Sequence, residues 1–183
     1  IVLDVAHALA YASRLRDAAG NPLGIVHRDI SPHNVLLSWE GDVKLSDFCI
    51  AIASVRREKT STGIVKGKLA YMAPEQAMGV TITAAADVYA LGITLHSLIM
   101  GRPPGSDTDT MADRLRWRVP PIDPAIDPRI AEFMRDCMQH EPAERPDAAA
   151  GASRAAALAA DYLDEDGRNA LRSWLSPLRN ERA

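Results

Sequence analysis

The sequence predicts a mainly α fold: a helical bundle around one buried central helix, with short β-hairpin strands set after the first helix. Three observations carry this reading. Apolar residues recur at helical spacing at the start of the chain. A later segment, "DVYALGITLHSLIM" from Asp87 to Met100, is apolar almost all round, as expected of a helix buried on most sides. Near the end, the Ala-rich run at 148–160 carries strong helix propensity.

In chain order, Val2, Val5, Ala6, Leu9 and Ala12 form one stripe, with Asp4, Arg14 and Arg16 off it, so residues 1–18 read as an amphipathic helix. Gly20-Asn21-Pro22 stops it. Ile25-Val26 and Val35-Leu36-Leu37 read as short strands, and Glu40-Gly41-Asp42 turns the chain into a third, Val43-Lys44-Leu45. Residues 54–68 are polar and aperiodic, which reads as a loop. Gly101-Arg102-Pro103-Pro104 ends the central helix. Residues 102–128 are rich in Pro and Asp and read mostly as loop, with a helical turn or two around Met111–Trp117. Asp127-Pro128 is an N-cap followed by a first helical residue, and Ile130, Phe133, Met134 and Cys137 form the stripe of the helix it opens. Asp147 caps the Ala-rich helix, which runs to about Leu163. The tail, 161–183, holds a short helix around Leu171–Leu175 and frays after Pro177; its Arg168, Arg172, Arg179 and Arg182 read as a solvated face.

Composition narrows the functional classes. Apolar residues make up 47% of the 183, enough for a sizeable core. A net charge of −3 gives no electrostatic footprint for nucleic acid. Cys49 and Cys137 are far apart and form neither a disulfide framework nor a zinc site, which fits a reducing, cytoplasmic setting. No apolar run approaches the roughly 18 residues of a membrane helix, so any membrane anchor would lie outside this segment. The chain opens on a helical pattern without an initial Met and reads as a piece of something longer.

The chemistry concentrates in "GIVHRDISPHNVLL", Gly24 to Leu37, and "KLSDFCIA", Lys44 to Ala51. Taken singly, Asp29 is an ordinary turn or capping acid, Asn34 a turn residue, Asp47 a strand-end cap and His27 a packed core residue. Their joint order and spacing say more. His27-Arg28-Asp29, then Asn34, Asp47-Phe48 and Ala73-Pro74-Glu75 resemble the catalytic loop (27–34), metal loop (47–49) and activation segment (47–75) of a eukaryotic-type protein kinase. Tyr71 to Gln76 and Arg145-Pro146 resemble the bacterial serine/threonine branch. The resemblance runs from residue 1 to about 160 and implies the C-terminal lobe of that fold.

It also implies roles. Asp29 would accept or orient the proton of the substrate hydroxyl. Asn34 and Asp47 would hold Mg²⁺ on the ATP phosphates, and Leu36 would floor the adenine. Arg28 would pair with a phosphate on Thr60, Ser61 or Thr62. Glu75 with Arg145 would form a buried ion pair, and Asp87 would bond the backbone of His27 and Arg28. His27 and Phe48 are structural on this reading.

Three departures stand out. Only 26 residues precede His27, and they hold neither a glycine-rich phosphate loop nor a strand lysine. The N-terminal lobe is therefore expected to be absent, leaving this chain inactive or nearly so by itself. Cys49 stands where the family has Gly; if that position needs φ > 0, its Cβ costs on the order of 1 kcal/mol. It is otherwise a tolerated small residue. Ser31 and Lys68 stand where the family carries Lys and Thr, so the ammonium and hydroxyl have traded places. Lys68 is expected to reach the γ-phosphate and Asp29, with Ser31 replacing the hydroxyl, against the plain reading of Lys68 as a solvated loop cation. The leading expectation is a partial serine/threonine kinase acting on protein Ser or Thr hydroxyls; a non-catalytic pseudokinase or binding module is the alternative.

Overall fold

The computed structural model describes residues 1–48, 68–104, 116, 119–120, 122–162 and 167–180. Apart from Lys68 and Arg116, the loop expected at 54–68 and the turns expected around Met111–Trp117 lie outside these residues.

The described chain is mostly helical: α1 (Val2–Arg14), β1 (Val35–Leu37), β2 (Val43–Leu45), α2 (Pro74–Met78), α3 (Ala84–Met100), α4 (Pro128–Cys137), α5 (Ala148–Tyr162) and α6 (Gly167–Asn180). Short 3₁₀ turns at Pro32–Asn34, Lys68–Tyr71 and Pro142–Glu144 link them. The two strands pair antiparallel, with Leu36 opposite Lys44.

α3 is the axis of the molecule. Val88 and Leu91 pack with Val5 and Leu9 of α1 and Ala152 of α5. On its other side Tyr89 and Ile93 pack with Met134 of α4 and Met138. This two-sided burial is the physical meaning of a helix apolar all round. Thr83 Oγ1 caps it, accepting from the Ala85 N–H at 3.3 Å. Gly92 lets α4 approach closely: a Cβ there would lie 2.8 Å from Met138 Cγ and 2.9 Å from Cys137 Cβ.

The expected caps of α4 and α5 are present. Asp127 Oδ1 accepts from Arg129 N, and Asp147 Oδ1 from Ala150 N. Phe133, Met134 and Cys137 are fully buried, while Ile130 is half-buried.

Three local expectations need correction. α1 ends at Arg14 rather than near residue 18. The Asp17 carboxylate accepts from the backbone of Ala19 and Asn21, both at 2.9 Å, and this side-chain turn outcompetes another helical turn. The chain then doubles back through an Arg16–Pro22 bridge. Ile25-Val26 is no strand. No neighbouring strand pairs with it among the described residues, and the N–H groups that follow it bond to Asp87 instead. The tail helix is longer than expected, Gly167–Asn180, with Pro177 inside it. A proline near a helix end removes one backbone bond and does not have to stop the helix there.

Cys137 lies in the core, and burial pushes its thiol up to about 12. At pH 8 the folded protein is therefore expected to leave Cys137 unalkylated by iodoacetamide over hours, with rapid labelling in denaturing urea. Mass spectrometry of the Cys137 peptide reads this; fast labelling of the native form would contradict the α3–α4 packing.

Candidate active site

The loop from Gly24 to Asn34 is held by α3. Asp87, in the first turn of α3, accepts from His27 N–H through Oδ2 and Arg28 N–H through Oδ1, both at 2.7 Å. Burial lifts this carboxyl above its usual range, while the two backbone donors pull it back down. An acid in the first turn also meets the favourable end of the helix dipole.

Arg28 has φ +70, an uncommon conformation for a residue with a long side chain. Such a conformation costs roughly 1–3 kcal/mol and persists only where neighbours over-determine it. Here its N–H is fixed by Asp87, and its carbonyl accepts from Gln76 Nε2 at 2.9 Å. Gln76 Oε1 in turn accepts from Ala73 N–H at 3.0 Å. One amide thus ties the start of α2 to the His27-Arg28-Asp29 turn. The Arg28 side chain itself is exposed.

His27 is fully buried. Its Nε2 lies 2.7 Å from the Ser46 carbonyl, and its Nδ1 accepts from Asp29 N–H at 3.3 Å. A carbonyl can only accept, so these partners select the tautomer with the proton on Nε2. The Phe48 ring stands edge-on to the imidazole at 4.7 Å.

Ser46 is the hub between the two loops. Its N–H donates to the Asn34 carbonyl at 2.9 Å. Its hydroxyl lies 3.2 Å from the same carbonyl and 3.4 Å from Asp47 Oδ2. Asn34 is buried, and its Nδ2 donates to the Asp29 carbonyl at 2.6 Å. Asp29, Asn34 and Asp47 therefore belong to one bonded cluster. Asp29 is half-buried, and Asp47 is exposed at φ +57, a conformation that Asp tolerates better than most residues.

With its Nδ2 committed to Asp29, Asn34 keeps its amide oxygen as a hard donor, and Asp47 supplies a carboxylate. Among the described residues no group of three or more His, Cys, Asp or Glu could form a protein-only metal cage. An amide and a carboxylate suit Mg²⁺, which commonly takes one or two protein oxygens and completes its shell with water and substrate phosphates.

The Glu75–Arg145 pair is bidentate and buried: Nη1 to Oε1 at 2.6 Å and Nη2 to Oε2 at 2.8 Å. Arg145 also donates to the carbonyls of Ala85, Gln139 and His140, and its guanidinium sits 4.9 Å from the centre of the Tyr89 ring. Leu36 is 56% exposed, with Leu37 and Trp39 beside it also open.

Ser31 is fully buried, and its hydroxyl has no hydrogen-bond partner among the described residues. The backbone of Lys68 opens a 3₁₀ turn; its side chain, together with Cys49, Thr60, Ser61 and Thr62, lies outside the described residues. Ser46 and Gln76 are the residues that sequence reasoning missed as parts of this site. Nothing in the sequence flags Ser46 beyond its place before Asp47. Gln76 sits three residues after Ala73, the offset of a capping-box partner.

Comparison with known proteins places the chain in a family. Residues 5–155 match the family described as "Protein kinase domain". The chain is 35% identical over 182 residues to tyrosine-protein kinase MasK of Myxococcus xanthus, covering 96% of this chain and 28% of MasK. It is 36% identical over 146 residues to serine/threonine-protein kinase PknA of Mycobacterium tuberculosis, covering 78% of this chain and 33% of PknA. Over 134 residues it is 35% identical to serine/threonine-protein kinase PknL of the same organism, covering 70% and 34%. The chain thus spans about a third of the length of these relatives. A buried acid fixing the His27-Arg28 backbone, a bonded cluster joining the 27–34 loop to Ser46 and Asp47, and a match across most of the sequence lead to one conclusion: the chain belongs to the protein kinase family.

Proposed function

We propose that this chain is the C-terminal lobe, residues 1–160, of a bacterial serine/threonine protein kinase, followed by a tail. The observation that carries the reading is the bonded cluster in which Ser46 joins Asn34 to Asp47 while Asn34 holds the Asp29 backbone. The whole protein transfers the γ-phosphate of ATP to Ser or Thr hydroxyls of protein substrates. A lobe upstream supplies the roof of the adenine site over Leu36, so the isolated chain is inactive or nearly so. The work is carried out in the cytoplasm on this reading, in keeping with the reducing setting that Cys49 and Cys137 suggest. Among the described residues no helix is long and apolar enough to cross a membrane.

The division of labour follows from chemistry. Phosphoryl transfer asks for positioning and charge neutralisation more than covalent help. Asn34 and Asp47 would hold Mg²⁺, which supplies neutralisation of the phosphate charge. Asp29 orients the substrate hydroxyl and takes its proton. Arg28, exposed beside the loop, pairs with a phosphate carried by Thr60, Ser61 or Thr62. Lys68 reaches Asp29 and the transferring phosphate, and Ser31 supplies the hydroxyl that accompanies it.

The test is phosphotransfer from labelled ATP by the full-length protein, with and without Mg²⁺, followed by phosphoamino-acid analysis. Phosphoserine or phosphothreonine is expected, and none without Mg²⁺. Phosphotyrosine would move the specificity to that printed in the name of MasK. No transfer at all would favour the binding-module reading, to which the buried Ser31, without a hydrogen-bond partner among the described residues and at a position where the family carries Lys, lends weight. Lys68→Ala is expected to lower kcat by on the order of 10²-fold; a change within about twofold would remove Lys68 from the mechanism.

A further inference from the structure

α6 lies beyond the residues matched to the kinase family, yet it grips the hairpin that carries the metal loops. Arg168 Nη2 pairs with Asp42 Oδ1 at 2.6 Å, and Arg168 Nε lies 3.4 Å from the Glu40 carbonyl. Between them Gly41 is buried at φ +87. A Cβ on Gly41 would meet the Arg168 carbonyl group, with the carbonyl carbon at 3.0 Å and Arg168 Cγ at 3.1 Å. The turn therefore needs Gly both for its own backbone and for the approach of α6. Leu175, about two helical turns further along, is buried, so α6 is seated at a second point. Arg168 stays exposed, as the solvated basic face of the tail leads one to expect, and also pairs with Asp42.

The turn's two strands end at the metal residues. β1 starts directly after Asn34, and β2 ends two residues before Asp47. A push on Glu40–Asp42 is transmitted along a ladder only three residue pairs long. We propose that α6 is a strut on the β1–β2 turn, and that Arg168 and Gly41 are positioning residues holding Asn34 and Asp47 at the separation Mg²⁺ needs. The role in Mg²⁺ binding rests on the metal-site reading above; the mechanical coupling does not. Residues behind a metal's direct ligands commonly tune its affinity in this way.

The experiment uses the full-length protein with Arg168→Glu, Arg168→Lys and the charge-swapped pair Arg168→Glu with Asp42→Lys. Amide hydrogen exchange is read at Val43 to Asp47, and Mg·ATP affinity by calorimetric titration. An exposed ion pair contributes modestly, so Arg168→Glu is expected to speed exchange at these amides about three- to fivefold and weaken Mg·ATP by a similar factor. α3 amides should not change. Arg168→Lys and the swapped pair should restore most of both effects, which a merely stabilising tail would not do. Unchanged exchange at Ser46 and Asp47 in Arg168→Glu, or no recovery in the swapped pair, overturns the strut. If exchange responds as expected but the wild type does not bind Mg·ATP, the strut stands and the kinase reading of the cluster falls.

Discussion

Asp29→Asn is expected to lower phosphotransfer by the full-length protein by about 10²–10⁴-fold while leaving it folded. The substitution keeps the size of the side chain and removes its capacity to take a proton. Two backbone hydrogen bonds help to fix this residue in the loop: its N–H donates to His27 Nδ1, and its carbonyl accepts from Asn34 Nδ2. The amide changes the chemistry at residue 29 and leaves both of these backbone bonds in place. Steady-state kinetics and a thermal melt check the two halves together. The expected outcome is a collapse in kcat with Mg·ATP affinity changed by less than about threefold, or about 0.65 kcal/mol. Retention of more than a tenth of the wild-type kcat would show that Asp29 does not handle the proton.

Arg145→Ala is expected to be the most damaging substitution for stability, costing about 3–5 kcal/mol. The Glu75 side chain is 3% exposed in the folded protein, so its carboxylate cannot be rescued by water. The same change strips the donor from the carbonyls of Ala85, Gln139 and His140 and removes the cation from the Tyr89 face. For a chain of this size, each kcal/mol moves the midpoint by about 2–4 °C, so a drop of roughly 6–20 °C should appear in a melt. The double substitution Glu75→Gln with Arg145→Met should recover part of the loss, because it removes both charges and restores apolar packing. A loss below about 1 kcal/mol for Arg145→Ala would mean that α2 is not tied to the rest of the lobe through this pair.

Both predictions concern residues that motif order and spacing single out, and the reason is local. Asp29, Asn34 and Asp47 stand at fixed offsets on one stretch of chain, so their order and spacing survive in the linear text. The same holds for the Asp127 and Asp147 caps, for the Glu40-Gly41-Asp42 turn and for the central helix, whose apolar residues leave no polar face. Where local patterning misleads, side chains competing for backbone groups decide the outcome. Asp17 stops α1 early by capturing two N–H groups, and Asp87 captures the N–H groups that follow Ile25-Val26.

Ser46, Gln76 and Arg168 show the opposite case. Each is an ordinary polar residue in the sequence, and each matters through a partner far away along the chain. Gln76 meets the Arg28 carbonyl across 48 residues, and Arg168 reaches the Glu40 carbonyl across 128. No periodicity or propensity encodes such a meeting, because the energy resides in a geometry that exists only once the helices have packed.

The sequence alone determined the helical class and the central buried helix, and it singled out Asp29, Asn34 and Asp47 as candidates, because each is written in spacing along the chain. Only the tertiary structure decided that Asp87 anchors an Arg28 held at positive φ, that Ser46 bonds Asn34 and Asp47 into one cluster, and that the tail helix bears on the β1–β2 turn. The physical reason is that hydrogen bonds and close backbone approaches depend on distances of a few tenths of an ångström between segments remote in sequence, and only packing sets those distances.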